Sequence, residues 1–71
     1  LNYKKEKKAM TAVTVTTELT ESQAMALAQF VKRLSWSEMR ACAVDEDETY
    51  EIKDAVGILQ KSLADAGFSP R

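Results

Sequence analysis

Two features of this sequence could carry chemistry: a single cysteine, Cys42, and the carboxylate run Asp45-Glu46-Asp47-Glu48. A thiol becomes a nucleophile when a neighbouring base or positive charge favours its thiolate, and the usual base is histidine. The chain has no His. Cys42 lies in a stretch that reads as apolar, where a free Cys serves as a small hydrophobe. One Cys closes no internal disulfide and builds no cysteine zinc site. The carboxylates could attract a divalent cation, but a calcium loop alternates its ligands around a central glycine, and this run does neither. Acidic residues at the positive end of a helix are the simpler reading. The only glycines are Gly57 and Gly67, so there is no glycine-rich phosphate loop. We therefore expect no catalytic residues, no metal, no cofactor and no enzymatic activity.

The elements around these residues can be read from periodicity. With 71 residues, 45% of them hydrophobic, the chain has room for one small domain. Thr11–Leu19 reads TAVTVTTEL. Val13, Val15, Thr17 and Leu19 alternate with Thr14, Thr16 and Glu18, the period-two pattern of a strand with one apolar face. Three helix starts follow. Thr20 precedes Gln23 by three residues and Ser35 precedes Glu38 by three, both matching the capping box, and Asp45 precedes Glu48 in an aspartate version. Helices are expected from about Glu21 to Leu34, Trp36 to Val44 and Glu46 to Ala66. Ala24, Leu27, Ala28, Val31 and Leu34 make the first apolar stripe, widened by Met25 and Phe30. Trp36, Met39 and Ala43 make the second, with Cys42 beside them. Ile52, Ala55, Val56, Leu59, Leu63 and Ala66 make the third. Gly67 is a natural cap and Pro70 stops any continuation. The expected fold class is mostly α, one N-terminal β-strand followed by three helices. The domain spans 11–67, with a flexible basic tail at 1–10 and a C-terminal tail at 68–71.

The net charge of −1 hides a division. Lys4, Lys5, Lys7 and Lys8 against Glu6 give the first nine residues +3, which leaves −4 on the other 62. An acidic body has no general attraction for nucleic acid or anionic lipid. The tail has a second reading. Lys-Glu can be written AAG-GAG, the core of a bacterial ribosome-binding sequence, and Met10 follows a few codons later. Met10 is then the native start and Leu1 a misassigned UUG start; the alternative is a short basic arm. No apolar run approaches the ~18 residues of a membrane span, and no signal-peptide pattern is visible, so a cytoplasmic location away from membranes is expected.

A lone strand leaves its backbone donors and acceptors unpaired, and a chain this short has difficulty building a sufficient core. Both problems are relieved if two copies pair their strands as an antiparallel ribbon, so a homodimer is expected. The alternative is an extended segment folded back on its own helices. The core and dimer residues are then Val13, Val15, Leu19, Leu27, Phe30, Val31, Trp36, Ile52, Val56 and Leu59. Ile58, among Glu51, Asp54, Lys61 and Asp65 on the outer face of the third helix, marks a further candidate contact. Gly57 lies inside that helix at a cost of about 1 kcal/mol against Ala, which suggests close approach of another helix.

Two resemblances bear on function. The segments ELTESQAMALAQFVKR, AVDEDETY and LADAGFSPR resemble those of small uncharacterised bacterial proteins of plasmids and genomic islands. That resemblance implies a mobile-element origin and assigns no functional residue. Over residues 11–44, a strand, a helix and then KRLSWSEMR resemble the ribbon-helix-helix repressors. That family pairs strands in the DNA major groove and holds a phosphate at the start of its second helix. It would place Thr14, Thr16 and Glu18 at the bases, and Ser35 and Ser37 at the phosphate with Lys32, Arg33 and Arg40 nearby. The strand face carries no Lys, Arg, Asn or Gln, the usual direct readers, and a third helix follows that the family does not need. The expectation is a non-enzymatic, dimeric protein-interaction or regulatory module of a bacterial mobile element. A DNA-binding transcriptional regulator and a small inhibitor of a host enzyme or defence complex are the alternatives.

Overall fold

The computed structural model describes residues 11–70. The expected basic tail lies outside the described residues. Three helices follow in order: α1, Glu21–Arg33; α2, Trp36–Cys42; and α3, Glu46–Asp65. Each begins at an expected cap. The Thr20 hydroxyl accepts from the Gln23 N–H at 3.1 Å, and the Gln23 side chain accepts from the Thr20 N–H at 2.9 Å. Ser35 and Glu38 make the same reciprocal pair. At α3 the closure differs. Asp45 accepts from the Glu48 N–H at 2.9 Å, but the Glu48 carboxylate reaches one residue further back, to the Val44 N–H at 2.8 Å. The acidic run thus engages the donors that a helix start leaves open.

α3 ends in a two-bond closure. The Phe68 N–H donates to the Leu63 carbonyl at 2.8 Å and the Gly67 N–H to the Ala64 carbonyl at 2.9 Å. Gly67 has φ of +102°, a conformation that needs glycine. The turn lays Phe68, expected in a tail, against the core.

α1 and α2 each pack against α3. Ala24, Ala28 and Val31 of α1 meet Leu63 of α3, with Leu27, Val56 and Phe68 half-buried around them. Two of the three buried α1 residues in this cluster are alanines. Met39 is the buried residue of α2. Thr49 is fully buried, and its hydroxyl donates to the Asp45 carbonyl at 2.9 Å, so its burial leaves no polar atom unsatisfied.

Four expectations are corrected. Met25 and Phe30 are exposed, because successive residues turn by about 100° and both fall off the side marked by Ala24, Ala28 and Val31. Trp36, at the first position of α2, is partly exposed and lies against Tyr50 of α3, ring centroids 4.8 Å apart and planes tilted by 58°. Cys42 is exposed, since it ends a seven-residue helix whose buried contact is Met39.

Among the described residues there is no β-strand. Thr11–Leu19 runs without helix, turn or bend and makes no backbone hydrogen bond to another described segment. A strand is defined by pairing, and among the described residues no other extended segment pairs with this one.

Candidate functional site

The period-two pattern that has no partner in sequence acquires a place in space. Val13, Val15, Thr17 and Leu19, with Glu18, form one wall of an open groove, while Thr14 and Thr16 take no part in it. The opposite wall is the flank of α3: Ala55, Ile58, Leu59, Ser62 and Ala66. Ala24, Leu63 and Phe68, which belong to the core, complete the lining. The groove has a volume of about 940 Å³, and among the described residues Glu18 is the only charged one in its lining.

The groove is apolar and uncovered. Val13 is 80% exposed, Val15 79%, Leu19 42%, Ile58 70% and Leu59 38%. These five apolar side chains lie together along one surface rather than scattered singly. The four residues singled out from sequence as contacts, Val13, Val15, Leu19 and Ile58, all line this one surface. The sequence alone connects Ile58 with none of the other three. It places Ala55, Leu59 and Ala66 in the core stripe, whereas they are exposed and line the flank beside it. Phe68 was missed as a lining residue; its signal was an apolar residue directly after the capping Gly67.

Gly57 lies away from the groove. A Cβ built there meets nothing within 4 Å, so among the described residues nothing approaches closely at Gly57.

The residues that the repressor resemblance assigns to DNA are differently occupied. The Ser35 N–H donates to the Glu38 carboxylate at 2.9 Å, the Ser35 hydroxyl donates to the same oxygen at 3.1 Å, and the Glu38 N–H donates back to that hydroxyl at 3.3 Å. A carboxylate therefore already sits where the resemblance places a phosphate. The Arg40 guanidinium donates to the Ala43 carbonyl at 3.2 Å, and that of Arg33 donates to Gln29. Lys32 and Ser37 are exposed, as are Thr14 and Thr16. Among the described residues no group of His, Cys, Asp and Glu is placed to hold a metal ion, and no helix is long and apolar enough to cross a membrane.

Comparison with known proteins gives one match. No curated protein and no solved structure matches the chain. Residues 10–71, a span that includes every described residue, match DUF7706, a family of unknown function. The chain, with its three capped helices and its open groove, belongs to the DUF7706 family.

Proposed function

We propose that this chain is a non-enzymatic protein-interaction module of a bacterial mobile element, acting in the cytoplasm as a homodimer. The observation that carries this reading is the groove: an apolar helix flank beside an extended segment that makes no backbone hydrogen bond to another described segment. A second copy meets both needs at once. Its own Thr11–Leu19 segment supplies the missing backbone partners, and its apolar alternation supplies the missing cover. Closing the groove on a second copy would cover apolar side chains of both chains, the kind of surface that specific interfaces bury. The ribbon backbone and the smaller lining residues add to that.

The DNA-binding alternative draws less support. Its phosphate position is filled by Glu38, and the outward residues Thr14 and Thr16 stand beside the acidic Glu18. The test is the solution mass of the full chain by light scattering across a concentration range. A dimer that dissociates on dilution is the expected result. A monomer at every concentration overturns the homodimer.

A further inference from the structure

The two walls of the groove are apolar and uncovered, and both belong to one chain. Val13 and Val15 are 80% and 79% exposed on the first wall, and Ile58 is 70% exposed on the second. We infer that residues 13–19 are a strap that closes over the flank of α3 in the free chain, held by side-chain contacts and leaving its backbone edge open. The structure fixes the strap at one end only. Thr20 is held by its reciprocal cap, and its carbonyl accepts from the Ala24 N–H at 2.8 Å. Residues 11–19 before it make no backbone hydrogen bond to another described segment, so closure breaks none.

The side chains are set for closure. Val13, Val15, Thr17 and Leu19 all line the groove, while Thr14 and Thr16 do not. The two outer threonines therefore stay in water as the valines meet the flank, and the contact removes apolar surface of both walls from water. Glu18 also lines the groove, directly before the fixed Thr20, so closure is led from the far end by Val13 and Val15. Length agrees as well. Val13 to Leu19 spans about 20 Å at ~3.3 Å per residue when extended, and the flank from Ala55 to Ala66 runs about 17 Å at ~1.5 Å per residue. The strap does not rest on the homodimer proposed above. The two compete for one surface, so a partner of the flank must lift the strap, and its apparent affinity falls by the fraction of chains that are open.

The test is disulfide trapping in the full chain in a Cys42→Ser background. Val15→Cys is paired in turn with Ile58→Cys and Ser62→Cys, at exposed positions one turn apart on the flank. The same two pairings with Thr16→Cys, on the other side of the segment, are the control. Disulfides form where Cα atoms lie about 4.4–6.8 Å apart. Under mild oxidation of the dilute chain, at least one Val15→Cys pair should close within the chain about tenfold faster than its Thr16→Cys counterpart, because a strap presents one face and a loose tether presents both. Equal rates for the two faces overturn the strap, since a tether alone then accounts for closure. The absence of any disulfide within the chain, with the helices intact by circular dichroism, overturns it too. Mixed single variants separate the strap from the homodimer: cross-links between chains in place of cross-links within them overturn the strap and leave the second copy standing. In the unsubstituted chain, nuclear Overhauser contacts within one chain from the Val13 or Val15 methyls to Ile58 give the same reading without a substitution, and their absence overturns the strap.

Discussion

Ile58→Glu should leave the chain folded and separate the dimer. Ile58 is 70% exposed on α3, so it contributes little to the core of its own chain. Its side chain leaves roughly 120 Å² for a partner to cover, worth about 3 kcal/mol at ~25 cal/mol per Å², and it occurs twice in a twofold dimer. If only half of that is realised, the lost burial amounts to about 3 kcal/mol per dimer. Moving two carboxylates into an apolar groove adds at least ~1 kcal/mol more. The sum of about 4 kcal/mol raises the dimer dissociation constant by roughly a thousandfold, since 1.4 kcal/mol is a factor of ten. Within the helix the substitution is close to neutral, as Glu is at least as good a helix former as Ile. Light scattering on dilution, with far-ultraviolet circular dichroism on the same samples, reads both quantities. A variant that stays dimeric wherever the parent is dimeric would refute the argument. So would a variant that loses its helical signal, because Ile58 would then belong to the chain's own core.

Other expectations concern stability and are read from thermal or urea unfolding at fixed protein concentration. Thr20→Ala and Ser35→Ala each remove one half of a reciprocal cap and should cost about 1 kcal/mol, a melting point lower by roughly 4–8 °C for a domain of this size. Leu63→Ala, at the one buried apolar position of α3, should cost about 2–4 kcal/mol, and unchanged stability would remove Leu63 from the core. Gly57→Ala should stabilise the chain by about 1 kcal/mol, because the added methyl meets open space; a weaker dimer in that variant would instead mark Gly57 as a helix-contact point. Gly67→Ala should destabilise by about 1 kcal/mol, because φ of +102° strains any residue with a Cβ.

The helices were legible because their signals are local. A hydroxyl or carboxylate three residues before a Gln or Glu specifies a start, and glycine after the last turn specifies an end, without reference to the rest of the molecule. Thr20, Ser35, Asp45 and Gly67 accordingly sit where the sequence places them. The core was legible only in part. Ala24, Leu27, Ala28 and Val31 share one side of α1, but the adjoining Met25 and Phe30 are just as apolar, and hydrophobicity alone does not say how wide the buried stripe is. Thr49 shows the converse: a polar residue that reads as surface is the most buried of the described residues, because its hydroxyl finds the Asp45 carbonyl one turn back.

The sequence by itself determined the three helices, their caps, the small size of the core and the two-residue alternation of Val13–Leu19. Only the tertiary structure decided that this alternation lies beside the Ile58 flank of α3, so that two unrelated suggestions became one groove. The reason is geometric. Periodicity records which residues share a face within one element. Which faces of two elements meet depends on the angle and distance at which α1 packs on α3, set here by Ala24 and Ala28 against Leu63. That packing carries the segment before Thr20 alongside the flank of α3 and leaves both uncovered.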